Sequence, residues 1–306
     1  MNQFKYTLDN KRYHTLNYHN RTVFGEKIYK AVIDAGFSCP NIDGTKSCGG
    51  CIYCDGGSGY FTKPALSVNE QLNAEIERIH RKAPQAKVIA YFQAHSNTYG
   101  SVSRLKNVYE PVLENPWLGG ISIGTRPDCI DGEILNYLAE LAERTSLTVE
   151  LGLQTVHEKT AEIINRCYSF GDFLETYRLL KSKNIRVCIH IINGLPFETA
   201  EMMIETAVSV GKLRPDGMKI HSLHVIKGTR LAEMLNEITL LTREQYVETV
   251  VSQLEYIPPE TVIERITGDG DKTKLIAPLW SADKIAVLGA IDKRLAELDT
   301  WQGRLF

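Results

Sequence analysis

Seven cysteines occur among the 306 residues, and four of them, Cys39, Cys48, Cys51 and Cys54, lie in one short stretch. Cys129, Cys167 and Cys188 are scattered. A secreted disulfide framework spreads its cysteines in pairs over a smaller chain, so the tight group asks for another explanation. Soft thiolates select zinc or iron–sulfur clusters. Cys39, Cys48, Cys51 and Cys54 could form a closed tetrahedral zinc centre. Structural zinc sites usually combine two separated C-x-x-C knuckles, however, and Cys48, Cys51 and Cys54 follow one another closely. Gly49, Gly50, Gly56, Gly57 and Gly59 surround the group. They free backbone N–H groups to approach the sulfides of a cluster. On spacing alone both metals remain open.

The elements around this stretch alternate between strand and helix patterns. Candidate strands are 30–37, 87–92, 120–125, 147–153, 185–192 and 216–225. Between them Ser67 and Glu70 form a capping-box signature ahead of Leu72, Ile76 and Ile79. Ile134, Leu138 and Leu141 repeat that helical stripe, as do Phe173, Tyr177 and Leu180. Such alternation implies a parallel sheet, either doubly wound or curled into a barrel. Parity within the strands favours the barrel. Val149, Leu151 and Leu153 oppose Glu150 and Gln154, and His190 opposes the row Val187, Ile189 and Ile191. Strands buried on both faces read as continuous aliphatic runs. Here one face suits a helix layer, and the other carries polar groups toward the strand's C-terminal end, where α/β barrels place their chemistry. Six strands predict an incomplete, TIM-like (β/α)6 barrel over 30–230. Residues 1–29 read as an N-terminal appendage and 231–306 as a C-terminal helical extension packing on the barrel. In that extension Thr242 and Gln245 offer a second capping box, 262–271 reads as a short strand ending in a turn, and Ile285, Leu288, Ile291 and Leu295 form a last stripe.

The composition, 43% hydrophobic and 24% charged, is that of a globular protein. No apolar run approaches a membrane span and no signal peptide opens the chain, so a cytoplasmic location is expected. The net charge of −2 argues against a broadly basic nucleic-acid binder, and no DNA partner is expected. Locally, Lys5, Lys11, Arg12, Arg21, Lys27 and Lys30 stand against Asp9, Glu26 and Asp34, with Tyr6, Tyr13 and Tyr18 interleaved. Such a stretch could contact phosphates and stack bases, or simply be a solvated appendage.

The segment GFSCPNIDGTKSCGGCIYC resembles the radical S-adenosylmethionine (SAM) superfamily, in particular its YtqA/YhcC-type bacterial proteins, relatives of the radical SAM portion of the Elongator catalytic subunit. The likeness continues through IGTRPD, VELGLQT, NRCYSFGDF, HIINGLPFET, KIHSLHVIKGTRL and VIERITGDG. It implies that Cys39, Cys51 and Cys54 hold a 4Fe-4S cluster, with Cys48 an extra thiol. Three thiolates leave one iron open, which SAM chelates; the reduced cluster then cleaves SAM to a 5′-deoxyadenosyl radical. The resemblance further implies SAM contacts by Tyr53, by Gln93 through Ser96 (without the usual double glycine), by Glu150 and Gln154, and near His190 and Gly194. It points to tRNA as substrate, at the C5 side chain of the wobble uridine, and to an electron donor such as flavodoxin or ferredoxin. A small metabolite or peptide substrate is the alternative, as is a zinc-stabilised barrel with a binding role. His221 and His224 would fall on opposite faces of one strand and could not share a metal.

Overall fold

The computed structural model describes residues 4–55, 62, 65–268 and 270–306. Gly56, Gly57, Gly59 and Asp269 lie outside the described residues. In chain order the elements are α1 (Leu16–Phe24), β1 (Tyr29–Ile33), α2 (Val68–His80), β2 (Val88–Phe92), α3 (Val102–Tyr109), β3 (Leu118–Thr125), α4 (Gly132–Arg144) and β4 (Leu147–Gln154). There follow α5 (Glu158–Ile163), α6 (Phe170–Ser182), β5 (Arg186–Asn193), α7 (Ala200–Lys212), β6 (Gly217–Ser222) and β7 (Val225–Ile226). The chain ends with α8 (Arg230–Glu233), α9 (Arg243–Glu255), β8 (Val262–Arg265), β9 (Leu275–Ala277) and α10 (Lys284–Glu297).

The helices arise where the stripes put them. Ser67 accepts from the Glu70 N–H while the Glu70 carboxylate accepts from the Ser67 N–H, and α2 buries Leu72, Ile76 and Ile79. Thr242 and Gln245 close the second box at the start of α9. The last helix departs from expectation by phase: Ile285 is exposed, and Val287, Ile291 and Leu295 are the buried residues.

Seven strands form one parallel sheet in the order β1-β2-β3-β4-β5-β6-β8. The order follows the chain without reversal, so a doubly wound sheet is excluded. One strand more than expected is present, because β8 of the C-terminal extension pairs with β6. The extension therefore completes the sheet as well as packing on it. The curl is visible in side chains. Lys30 on the first strand donates to Glu264 on the last at 3.0 Å, across the lumen of an open barrel. Val149, Leu151 and Leu153 are fully buried in the main apolar core, as are Val187, Ile189 and Ile191.

The N-terminal appendage closes the bottom of this barrel. The Ile263 N–H donates to His14 O at 2.8 Å, and Thr15 bridges to Ile263 in parallel, at the entry end of β8. Lys11 pairs with Asp292, and Arg12 with Asp299 at 2.8 Å. Tyr13 is buried, and Tyr6 stacks on His14 with centroids 4.8 Å apart. Lys30 points into the lumen. Half of the basic residues in the 5–30 stretch thus already have carboxylate partners, and the segment sits at the end opposite the mouth. The phosphate-contacting role considered for it does not fit this placement.

Candidate active site

The C-terminal ends of the strands surround a cavity of about 490 Å³, within the range of ligand pockets. The cysteine loop forms one wall. It begins after β1 and turns tightly, the N–H of Ile42 donating to Cys39 O at 2.8 Å and that of Cys54 to Cys51 O at 3.0 Å. Gly49 and Gly50, at φ 77° and 71°, adopt the left-handed backbone that leads into Cys51. Cys39, Cys51 and Cys54 line the cavity, whereas Cys48 is exposed and is not part of its wall. A short antiparallel bridge between Asp43 and Cys48 holds that residue in an outward turn.

A second loop braces the first. Asn165 donates through Nδ2 to Gly50 O at 2.8 Å, and the buried Asn41 donates to Asn165 O. The Ile52 N–H reaches Ile164 O at 3.1 Å. Asn165 and Cys167 both have left-handed φ, 56° and 63°, held by the buried Arg166 between them. Its guanidinium donates to Leu153 O, Thr155 O and Tyr168 O at 2.8, 2.6 and 3.0 Å. The strain is over-determined by these bonds, as at sites that must hold one shape.

Tyr53, Gln93, Ser96, Glu150, Gln154 and His190 all line the same cavity as the three cysteines. Burial holds the Tyr53 phenol well above its ordinary pKa, so it stays neutral. Gln154, at φ 69° beside a register shift in β4, folds its amide over Gly152. A Cβ on Gly152 would lie 2.8 Å from that amide. Gly194 is the exception. It does not line the cavity; its N–H goes to Met203 Sδ at 3.1 Å, and Leu241 and Leu223 cover its Cα. Its φ of 86° explains the glycine by backbone geometry alone.

Glu150 sits lower than expected for a SAM contact. It is 1% exposed and accepts from Lys30 at 2.7 Å, Ser122 at 2.7 Å, His190 at 2.9 Å, and Lys219. Burial alone would raise its pKa, but Lys219 and Lys30 hold the carboxyl well below the usual range. His190 is pushed down by burial and Lys219 against the pull of Glu150, which leaves a neutral imidazole at neutral pH. The sequence set Lys30 among the basic residues that could contact phosphates, not in the cavity, and gave no role to Lys219, Arg126 or Tyr168. Arg126 lines the cavity, pairs with Asp128 at 2.9 and 2.8 Å, and lies over the Tyr168 ring at 4.8 Å. The motifs IGTRPD and NRCYSFGDF contain both residues and were the available signal. His221 and His224 both line the cavity, because β6 ends at Ser222 and strand alternation does not extend to His224.

The donor set fits an iron–sulfur cluster held by three thiolates. Cys39, Cys51 and Cys54 line one cavity and Cys48 does not, whereas a closed tetrahedral zinc centre needs four. Asn41 is fully buried beside them, its Oδ1 has no hydrogen-bond partner among the described residues, and its Nδ2 lies 3.8 Å from Cys51 Sγ. Such an amide orients and tunes a ligand sulfur. Burial raises the Cys51 thiol to about 11, so its thiolate is favoured only when a metal binds.

The family model described as the radical SAM superfamily matches residues 46–210, and that of the radical SAM C-terminal domain matches 215–297. Protein YtqA of Bacillus subtilis (strain 168) is 48% identical over 309 residues, spanning 100% of this chain and 96% of that protein. Elongator complex protein 3 of Mus musculus is 30% identical over 156 residues, which is 49% of this chain and 28% of that protein. Among solved structures, the archaeal Methanocaldococcus infernus Elp3 with an N-terminal deletion superposes with a TM-score of 0.71 at 18% identity. It covers 90% of this chain, which spans only 64% of that one. Among the described residues no helix is long and apolar enough to cross a membrane. With matching models over both parts of the barrel, and a full-length relative at this identity, the chain belongs to the radical SAM superfamily, whose cofactors are a 4Fe-4S cluster and S-adenosylmethionine.

Proposed function

We propose that this chain is a radical SAM enzyme that modifies tRNA, with Cys39, Cys51 and Cys54 holding the cluster. One observation carries the reading of the site: those three thiols share the wall of the large cavity and Cys48 does not. When bound there, the cluster supplies the electron that cleaves SAM and so provides a 5′-deoxyadenosyl radical. The chain's own residues bind and shield. Tyr53 offers a neutral aromatic face next to the cysteines. Gln93, Ser96 and Gln154 offer amide and hydroxyl groups along the wall for SAM. Arg126, fixed by Asp128 and Tyr168, keeps its charge beside the cysteine loop. Glu150 and His190 fix the shape of the floor rather than reach SAM. An external electron donor, of the flavodoxin or ferredoxin kind, completes the system.

The tRNA assignment is supported by the likeness to Elongator proteins and by the mouth of the barrel. Antiparallel β7 and β9 form a ribbon at the rim, with Lys227, Lys272 and Lys274 exposed on or beside it. Ile226 of this ribbon and Asp271, in the turn ahead of β9, line the cavity. Cations there, and not those of the N-terminal segment, are placed to meet phosphates around a nucleotide that enters the cavity. The wobble uridine, at its C5 side chain, is the nucleotide proposed. The test is chemical. Reduced holoenzyme with SAM should change a nucleoside in unfractionated tRNA from a strain lacking the gene, read by mass spectrometry. Unchanged nucleosides, together with no tRNA binding at low salt, would remove tRNA and leave the radical SAM assignment standing.

A further inference from the structure

The loop between β5 and α7 holds a residue that packing does not explain. Pro196 and Phe197 are the central residues of a tight turn, closed by the Glu198 N–H, which donates to Leu195 O at 3.2 Å. Phe197 has a φ of 64°, as in a type II turn with proline in its favoured second place. The third place of such a turn suits glycine, which alone takes a left-handed φ without steric cost. Among the described residues the other non-glycine positions at left-handed φ hold Asn, Asp, Gln, His, Arg or Cys. Phe197 alone brings a large apolar ring to such a backbone, where a bulky residue is an outlier. Burial does not offset the cost. Phe197 is 60% exposed, whereas Leu195 in the same turn is buried. Strain that the fold does not use for packing is characteristic of ligand-contacting positions.

A second observation fixes where the ring stands. The turn follows the C-terminal end of β5, on the face of the barrel where the cavity opens. Glu198, its last residue, accepts from the Thr155 hydroxyl at 2.5 Å, and Thr155 is fully buried directly after Gln154 of the cavity wall. Ahead of the turn, Gly194 lies against Leu223, another wall residue, from which a Cβ on the glycine would be 3.7 Å away. The turn is therefore tied to the cavity wall on both sides, and the exposed ring of Phe197 is held at the rim. Exposed charges on the helices that leave this rim are of both signs, Lys159 on α5 and Glu201 on α7. This sector is not built to gather phosphates. What it offers is an aromatic face.

We infer that Phe197 is a stacking platform for an unpaired base of the RNA substrate, next to the nucleotide that enters the cavity. The inference rests on the tRNA reading above and adds the residue that receives the neighbouring base. Proteins that recognise single-stranded RNA loops hold splayed bases on aromatic side chains. Every base has a π-face, so the contact does not depend on which base is present. A stacked ring also neutralises no phosphate, so it contributes affinity without adding to the salt dependence. That property separates Phe197 from the lysines of the β7–β9 ribbon.

The test is the binding of unfractionated tRNA, from a strain lacking the gene, to anaerobic holoenzyme with SAM and an oxidised cluster, measured over a range of salt. Phe197→Gly should raise the dissociation constant about tenfold and leave the slope of log affinity against log salt unchanged. Phe197→Trp, which keeps a stacking face, should stay within about threefold of wild type. The thermal midpoint of Phe197→Gly should equal or exceed that of wild type, because glycine suits the turn and the exposed ring adds little to the core. A fall of more than about 4 °C would make the ring a part of the fold and overturn the inference. Wild-type affinity in Phe197→Gly also overturns it, and leaves the ring to an apolar protein partner. So does a loss in Phe197→Trp as large as that in Phe197→Gly. Absence of tRNA binding by the wild-type protein removes the tRNA reading and this inference with it, whereas wild-type binding that ignores Phe197 removes the inference alone.

Discussion

Glu150→Gln should destabilise the fold far more than a binding-site substitution would. Glu150 accepts from four groups in a space that is 1% exposed, and two of those groups are lysines. The amide keeps one acceptor oxygen but turns an NH2 toward a cation. Lys30 retains Glu264, whereas Lys219 retains, among the described residues, the Tyr91 hydroxyl at 3.2 Å. Breaking one partner out of a buried ion pair costs about 3–5 kcal/mol. For a chain of this size that lowers the thermal midpoint by about 5–8 °C. Urea unfolding of the cluster-free protein measures the loss directly. Adding Lys219→Met to Glu150→Gln should recover much of it, with a coupling of about 1–3 kcal/mol. The sign in acid follows from linkage. The folded carboxyl lies below its unfolded value, so its contribution is present above the ordinary glutamate range and is lost as pH falls below it. Glu264, held low by Lys30 and Arg186 against burial, behaves the same way. Wild-type stability should therefore fall more steeply below pH ~4.5 than that of Glu150→Gln. A variant within about 1 kcal/mol of wild type, with the same acid slope, would refute the network as a structural element.

Three further outcomes are expected. Arg166→Leu leaves the carbonyls of Leu153, Thr155 and Tyr168 without their donor, at about 1–3 kcal/mol each. Urea unfolding and iron uptake should both suffer, and normal values for both would remove the brace from the account. Gly211→Ala sets a Cβ 2.4 Å from Tyr256 O on the α7–α9 contact, an overpacking of about 1–3 kcal/mol that a midpoint measurement checks. Lys227→Ala with Lys272→Ala should lower the salt slope of tRNA binding by about one for each lysine, while Lys11→Ala should not.

Much of the barrel was legible because its signals are local. Strand parity in 147–153 and 185–192 separated an aliphatic face from a polar one, and capping boxes marked α2 and α9 within four residues. The cysteine group was legible because Cys39, Cys51 and Cys54 lie within one loop. What was hidden depends on residues far apart in the chain. The short strand at 262–265 was legible, but not its place as the seventh strand of the sheet, which is set by pairing with β6. Lys11 and Arg12 read as free cations because Asp292 and Asp299, their partners, are more than 280 positions away. Glu150 had the right parity for the cavity, but its depth is set by Lys30 and Lys219 on other strands. Gly194 was assigned to a ligand when a left-handed exit from β5 already requires glycine.

The central claim is that three cysteines, not four, hold the cluster of a radical SAM enzyme. Anaerobic reconstitution of wild type, Cys48→Ala and Cys51→Ala, followed by iron and sulfide analysis and by assay of 5′-deoxyadenosine from SAM and dithionite, tests it most directly. Wild type and Cys48→Ala should each hold about four irons per chain and form 5′-deoxyadenosine, while Cys51→Ala should do neither. Loss of iron in Cys48→Ala to the extent seen in Cys51→Ala, or a colourless wild-type protein holding zinc, would contradict it.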